Sequence, residues 1–408
     1  MSDFFQNGRI TTIHDLGTID REGLETALDA ATENYRLGLI LPVTASDMRA
    51  PAFARIMQEL ADVSYIQEIV IVLNVAPEES DYRETARLAA PLGDRGRILW
   101  TDGERVTRLY RDLIDAGLAI SSPGKGRAVW TAYGYLLGNA QIRAYALHDC
   151  DIVNYDRTLL ARLCLPIAHP SLDFEFCKAY YARHANGRFF GRVARLLVSP
   201  MLRALMAVVG PDSFLRYLDS FRYPLAGEFA MTSTLAASNR VPSDWGLEIG
   251  TLAEVYRNTS IKKVCQVDLA VTYDHKHSPL SLGRHDQGLM KMARDILCAV
   301  FRTLASTGTA FDRSHFVTLR TAYLRKAQDA IRKYAADALV NGLQVDRHFE
   351  EETVEAFAEL VTTAGEAFYD DPSGAEAIPN WARVRSAFPN FPRELRQAAR
   401  ADAEEFGF

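Results

Sequence analysis

The strongest constraint on the fold is the alternation, over the first 150 residues, of short apolar runs with segments of helical spacing. Apolar runs occupy residues 37–41, 68–73, 97–100 and 143–147, and helical spacing covers residues 21–35, 50–62, 104–116 and 124–139. Strands separated by helices predict βαβ units and a largely parallel sheet. Because these runs are apolar throughout rather than alternating, we expect strands buried on both faces.

The second half of the chain has a different pattern. Apolar spacing predicts strands at 172–181 and 263–273, with a helix at 191–209 between them. Helical spacing then dominates, at 288–304, 315–339 and 350–368, and a last short helix begins near Pro392. We therefore expect an α/β domain over residues 1–283 and a helical C-terminal region over 284–408. Two roles stay open for those helices, a homodimer interface or a cover over the substrate.

Charge and cysteine usage exclude several classes of protein. Lysine and arginine total 46 against 52 acidic residues, a net charge of −6, so nothing predicts binding to nucleic acid or to an anionic lipid surface. The five cysteines show no CxxC spacing, which argues against disulfides and structural zinc. The N-terminus has no secretory signal, and the longest apolar stretch, 196–210, is too interrupted to span a bilayer. We expect a cytoplasmic protein without a membrane span.

A pair of carboxylates follows the strand at 143–147. Asp149 and Asp151 lie two residues apart in the segment His148-Asp149-Cys150-Asp151. Side chains at this spacing can point the same way at a strand end, and together they can hold a hard divalent cation. In open α/β sheets, ligands bind at the carboxyl ends of strands. The motif alone also fits solvated turn carboxylates.

Residues 123–126 read Pro-Gly-Lys-Gly and open a predicted helix. Glycine at Gly124 lets the backbone approach a ligand, Lys125 adds a positive charge, and a helix N-terminus favours anions. The spacing is not that of a Walker A loop. The segment therefore predicts either a phosphate site or an ordinary helix start.

Acidic and imidazole side chains recur further along the chain. Glu228 and Glu248 each lie in an apolar, glycine-bearing stretch, where a carboxylate needs a partner or a ligand. His275 and His277 follow the strand predicted at 263–273 and are candidates to complete a metal site. The alternative for each is a structural or solvated role.

The order of these motifs is more specific than any one of them. PGKG, the paired aspartates after a strand, Gly191-Arg192, Gly227-Glu228, the segment Trp-Gly-Leu-Glu-Ile-Gly at 245–250 and a histidine after a strand follow one another between 123 and 277. In this order the chain resembles the retaining GT-A glycosyltransferases of the glucosyl-3-phosphoglycerate synthase type. The resemblance implies a Rossmann-like nucleotide-sugar-binding fold.

The resemblance also implies donor and metal ligands. Asp149 and Asp151 match the aspartates that hold the nucleotide-sugar and its Mg²⁺ or Mn²⁺, with Asp151 the more direct metal ligand. His275, or His277 if the loop is longer, matches the histidine of that metal site. The family lysine beside the donor matches Lys125, next to Gly124. Pro42 lies in the segment that surrounds the nucleotide.

Catalytic and acceptor residues follow by the same matching. Glu248 matches the glutamate near the reacting sugar, and Glu228 matches that of the GE motif. Arg192, after Gly191, matches the arginine that holds the charged end of the acceptor. Arg183 and Arg188 supply further positive charge nearby.

The chain also departs from the family pattern. Residues 41–47 carry only one acidic side chain, Asp47, and the second strand ends Leu73-Asn74-Val75-Ala76, so the choice between UDP and GDP stays open. Ala194 replaces a hydroxyl-bearing residue, which weakens the match to 3-phosphoglycerate.

The predicted function is transfer of a hexose, namely glucose from UDP-glucose, to a small acidic acceptor such as 3-phosphoglycerate or glycerate. Mannose transfer from GDP-mannose is the nearest variant. From other classes, a sugar-phosphate nucleotidyltransferase and a non-catalytic sugar-nucleotide-binding protein stay open.

Overall fold

The fold is known from a computed structural model, which describes residues 6, 8–242, 246–269, 288–374 and 377–408. The strands are β1 (Thr11–Ile13), β2 (Arg36–Thr44), β3 (Ile66–Asn74), β4 (Gly96–Trp100), β5 (Ile142–Leu147), β6 (Phe176–Tyr180), β7 (His184–Ala185), β8 (Arg188–Phe189), β9 (Phe229–Thr232) and β10 (Val264–Asp268). Eight of them form one sheet in the order β1-β10-β6-β9-β5-β2-β3-β4. Its pairs are parallel except where β9 runs antiparallel to β5 and β6. The predicted α/β class and largely parallel sheet are confirmed.

Helices cover both faces of the sheet. They are α1 (Arg21–Thr32), α2 (Ala45–Met48), α3 (Pro51–Ala61), α4 (Glu79–Ala89), α5 (Glu104–Asp115), α6 (Lys125–Leu137), α7 (Arg157–Ala168), α8 (Ser199–Val208), α9 (Ser213–Leu218), α10 (Ser233–Ser238), α11 (Leu247–Asn258), α12 (Gly288–Ser306), α13 (Arg313–Val340), α14 (Arg347–Asp370), α15 (Trp381–Ala387) and α16 (Phe391–Phe406). In the part of the chain that the structure describes, no helix has both the length and the apolar character needed to cross a bilayer.

The central strands are buried on both faces, as their composition predicts. Along β3, Ile69 and Ile71 belong to one hydrophobic cluster, whereas Val70 and Val72 belong to the other. All four side chains are fully buried. Alternate residues of a strand point to opposite faces, so a strand between two helical layers is apolar at every position.

Strand β2 continues through Pro42, where the sequence predicts its end. Its pairing with β5 stops at Ile40, whereas its pairing with β3 continues to Thr44. Ile40 still accepts a hydrogen bond from the backbone of His148 at 3.4 Å. Two residues later, the missing N–H of Pro42 faces the space beyond β5, so no ladder bond is lost. This lengthens β2 towards the cleft.

Other boundaries differ where the local sequence is ambiguous. The strand predicted at 172–181 is shortened to β6, and the helix predicted at 191–209 begins as a π-helical turn, Val193–Val198, before α8. The sequence misses β9 and α7. Helix α7 is buried on most sides and contains Pro166, so it shows no amphipathic period.

The helical C-terminal region shares a core with the sheet domain. The rings of Trp130 and Trp381 stack with centroids 4.4 Å apart. Trp381 donates its indole N–H to the carbonyl of Trp130 at 2.8 Å, and Arg396 makes two hydrogen bonds to the buried Glu68, at 3.0 and 3.1 Å. The predicted boundary between 283 and 284 lies outside the described residues and stays a prediction.

Candidate active site

A cleft of about 640 Å³ opens at the carboxyl ends of the central strands. Most of the side chains singled out in the sequence line it: Gly124, Lys125, Asp149, Asp151, Arg183, Gly191, Arg192 and Glu248. Asp47, Ala194 and Lys291 also line it. Segments as far apart in sequence as those of Asp47 and Lys291 therefore meet in this cleft.

The paired aspartates are held by the histidine that precedes them. His148 is buried, and its Nδ1 lies 3.0 Å from the carbonyl oxygen of Asp149, while its Nε2 lies 3.1 Å from the hydroxyl of Tyr155. Burial lowers the pKa of His148 to about 4, so the ring is neutral at pH 7. His148 therefore fixes the turn that carries Asp149 and Asp151 into the cleft.

Lys125 lies between two carboxylates that come from different parts of the chain. Its Nζ is 2.6 Å from Asp149 Oδ1 and 3.5 Å from Glu248 Oε1. Burial by itself would lower the pKa of Lys125, but the charges of Asp149 and Glu248 reverse this effect and raise it. Lys125 is the first residue of α6, so a fixed positive charge stands at a helix N-terminus.

Two glycines allow this close packing. A side chain at Gly227 would collide with the carboxylate of Asp149 and come within 3.1 Å of Lys125 Nζ. At Gly126, a Cβ would lie 2.5 Å from the carbonyl oxygen of Pro242. Both positions therefore require glycine for space, not for an unusual backbone angle.

Glu248 and Glu228 occupy different environments. Glu248 lies in the first turn of α11 and faces the cleft, with its side chain 13% exposed. Glu228 is buried behind the cleft wall and accepts a hydrogen bond of 2.6 Å from the hydroxyl of Tyr181, which does line the cleft. The structure thus brings Glu248, and not Glu228, to the surface that a substrate would touch.

Lys178, in β6, is a charged residue beneath the cleft that the sequence analysis missed. It is fully buried, and its Nζ donates a hydrogen bond of 2.5 Å to the carbonyl of Ala226. Burial lowers its pKa to about 8, although the charges of Glu248 and Glu228 act in the opposite direction. The presence of a lysine within a predicted apolar strand was the feature of the sequence that could have identified it. Its bond supports the turn that leads to Gly227.

Two arginines, Arg183 and Arg192, also line the cleft. Gly191 has a positive φ of 72°, which favours glycine and turns the chain so that Arg192 lines the cleft. The Nε of Arg192 is buried and has no hydrogen-bond partner among the described residues. Arg183 donates to the hydroxyl of Tyr223 at 3.1 Å. A guanidinium that lines a cleft and has an unpaired buried donor suits an anionic ligand.

Two further predicted residues, Arg188 and Pro42, are not among those that line the cleft. Arg188 lines a neighbouring cavity of about 280 Å³ and donates to Gln344 Oε1 at 3.3 Å. Pro42 lies within β2, two residues before Thr44, whose hydroxyl donates to the cleft residue Asp47 at 2.8 Å. The histidine pair, His275 and His277, lies outside the described residues.

The aspartates fit a hard divalent cation. Three carboxylates, those of Asp47, Asp149 and Asp151, line the cleft. Burial raises the pKa of the neighbouring Cys150 thiol, and the charges of the same three carboxylates raise it further. Carboxylate oxygens are the ligands that Mg²⁺ and Mn²⁺ prefer. Within the described ranges, no group of three or more His, Cys, Asp or Glu side chains forms a complete metal site. Asp149 and Asp151 would thus be part of a ligand set.

Comparison with known proteins identifies the family of the chain. The chain is 45% identical over 402 residues to the glucosyl-3-phosphoglycerate synthase of Persephonella marina, covering 98% of this chain and 99% of that protein. It is 40% identical over 408 residues to the enzyme of the same name from Methanococcoides burtonii, covering 99% of each. No protein-family model matches the chain.

A solved structure shares the fold at lower identity. Glucosyl-3-phosphoglycerate synthase from Mycobacterium tuberculosis, in complex with Mn²⁺, UDP-glucose and phosphoglyceric acid, has a TM-score of 0.53 and 19% identity, covering 74% of this chain and 89% of that one. This likeness concerns the fold, whereas the near full-length identity to the curated relatives concerns the family. The chain belongs to the glucosyl-3-phosphoglycerate synthase family of GT-A glycosyltransferases.

Proposed function

We propose that this protein transfers glucose from UDP-glucose to the hydroxyl of 3-phosphoglycerate, with retention of the α configuration and with Mg²⁺ or Mn²⁺ required. The observation that carries the proposal is that Lys125, Asp149, Glu248 and Arg192 line a single cleft, where Lys125 contacts both carboxylates. The names of the two full-length relatives support the same donor sugar and acceptor.

The donor side suits the departure of a diphosphate. As the bond between the sugar and UDP breaks, negative charge develops on the leaving phosphate. A divalent cation held by Asp149 and Asp151 would supply electrostatic stabilisation of that charge. Lys125, fixed by its two carboxylate contacts, adds a positive charge that needs little reorganisation when the reaction occurs.

Glu248 is the proposed catalytic carboxylate. The anomeric carbon gains positive charge as the leaving group departs, as in glycoside hydrolysis. Glu248 faces the cleft beside Lys125 and can stabilise this charge or orient the acceptor hydroxyl. One C1–O bond breaks, another forms to the acceptor, and the products are the glucoside, UDP and a proton. Glu228 is assigned a supporting role through Tyr181.

The acceptor side has the positive charge that suits an acceptor with both a phosphate and a carboxylate. Arg183, Arg192 and Lys291 all line the cleft, and Ala194 lies among them. Lys291, which the sequence analysis missed, pairs with Asp295 at 2.7 Å and reaches the cleft from α12. These three cations compensate for the hydroxyl that Ala194 lacks, and they favour 3-phosphoglycerate over the uncharged end of glycerate.

The test is a donor and acceptor screen of the purified protein. We expect UDP release that depends on UDP-glucose, 3-phosphoglycerate and Mg²⁺ or Mn²⁺ together, with the glucoside identified by mass. Lys125→Met should lose most of this activity, whereas Lys262→Met, at an exposed site, should keep it. A preference for GDP-mannose, or a rate of UDP release that does not depend on the acceptor, would contradict the proposal.

The homodimer and the cytoplasmic location are further parts of this proposal. The five cysteines are free, which fits a reducing compartment. Light scattering at several concentrations tests the dimer, and a monomer mass throughout would remove it.

A further inference from the structure

The start of α14, in the C-terminal region, packs against the acceptor side of the cleft. The guanidinium carbon of Arg192 lies 4.9 Å from the ring centre of Phe349. Arg192 lines both the main cleft and the smaller cavity next to it, whereas Phe349 lines only the smaller cavity. The aromatic ring therefore supports the guanidinium from the side away from the substrate.

A buried ion pair fixes the position of Phe349. The next residue, Glu350, accepts a hydrogen bond of 2.7 Å from Arg195, and both side chains are less than 10% exposed. Arg195 also donates to the carbonyl of Phe190 at 3.0 Å, and Phe190 lines the main cleft. The pair thus joins the C-terminal region to the segment that carries Arg192.

A second connection holds the hairpin that precedes Arg192. The backbone N–H of Gln344 donates to the carbonyl of Gly187 at 2.7 Å, and Arg188 bonds the side chain of Gln344. Residues 344–350 therefore contact the hairpin and the first turn after it. Neither contact touches the donor residues Lys125 and Asp149.

We propose that Phe349 is a positioning residue for Arg192, by which the C-terminal region sets the affinity for the acceptor. The inference rests on the proposed function. Stacking holds the guanidinium in one orientation where Arg192 lines the cleft, and its Nε, which has no hydrogen-bond partner among the described residues, is the donor assigned to the acceptor anion. Because Arg192 is ordered before the acceptor binds, less side-chain entropy is lost on binding.

The experiment compares Phe349→Leu with Phe349→Tyr in the full-length protein. Leucine keeps the apolar volume but removes the aromatic face, whereas tyrosine keeps the face. We expect Phe349→Leu to raise the KM for 3-phosphoglycerate by about three- to tenfold, with the KM for UDP-glucose unchanged. Phe349→Tyr should restore a nearly wild-type value. In an Arg192→Ala background, Phe349→Leu should have no further effect on acceptor KM.

The possible failures are distinct. If the wild-type protein transfers no glucose to 3-phosphoglycerate, the proposed function fails and this inference fails with it. If the wild-type protein is active and Phe349→Leu keeps the wild-type acceptor KM, only this inference is overturned. An equal rise in both KM values, or a lower Tm with both KM values unchanged, would show a merely structural role and would also overturn it.

Discussion

Gly227 faces the carboxylate of Asp149 so closely that no side chain fits between them. The contact joins the turn after β5 to the turn before β9, and Lys125 lies against both. The donor side of the cleft is therefore a packed unit in which each part limits the position of the others.

Gly227→Ala should displace Asp149 and Lys125 and lower kcat/KM by about 100-fold, because small displacements of reacting groups have effects of this size. Steady-state kinetics measures the loss. Gly117→Ala is the control, since Gly117 has a positive φ of 77° and no neighbour within 4 Å. It should cost about 1 kcal/mol of stability and leave activity intact. Equal activity in the two variants would contradict this account of the contact.

Asp151→Asn should reduce turnover by about 100-fold or more and raise the Mn²⁺ concentration needed for half-maximal rate, because a neutral amide binds a divalent cation less well. Titration of activity with Mn²⁺ measures both effects. Asp115→Asn, at an exposed site at the end of α5, should match the wild type. Unchanged metal dependence in Asp151→Asn would remove Asp151 from the metal site.

Lys178 should make the protein more stable as the pH rises from about 8 to about 10. Its pKa in the folded protein is about 8, against an ordinary value of 10.5, because burial disfavours the charged form. Between pH 8 and pH 10.5 the unfolded chain binds more protons than the folded protein, so the free energy of unfolding rises with pH. Below about pH 8 Lys178 is protonated in both states, and the full cost of burying its charge lowers the stability.

Urea denaturation at pH 8 and pH 10 tests this dependence. The contribution from Lys178 should be a rise of about 2 kcal/mol, obtained as the difference between the wild type and Lys178→Met. Other groups titrate in both proteins, so the difference isolates Lys178. The same pH dependence in both proteins would show that the pKa of Lys178 is not lowered.

Trp381→Ala should lower the free energy of unfolding by about 3–5 kcal/mol, because the side chain is fully buried and stacks on Trp130. Trp381→Phe should lose less, since it keeps an aromatic ring but not the hydrogen bond to the Trp130 carbonyl. Denaturation followed by circular dichroism measures both changes. If part of the circular dichroism signal of Trp381→Ala is lost in a separate transition, the C-terminal region and the sheet domain do not unfold as one unit.

The sequence predicts those features that depend on local periodicity. Strands β2 to β5 and helices α1, α3, α5 and α6 follow from their apolar patterns, because a strand between two helical layers has no polar face. The end of β2 does not follow from its apolar pattern. Pro42 is tolerated within β2 because the pairing with β5 ends before it, and this pairing is not visible in the sequence. Strand β9 and helix α7 are missed for a related reason, namely that their burial depends on neighbours from distant parts of the chain.

The sequence by itself determined the kinds of side chain available for chemistry, namely paired aspartates after a strand, a lysine at a helix start and a glutamate in an apolar segment. Only the tertiary structure decided that Asp149, Lys125 and Glu248 meet, that Glu228 lies behind the wall, and that Phe349 supports Arg192. The physical reason is that periodicity and motif spacing report contacts within an element, whereas distances between elements are set by how their buried faces pack.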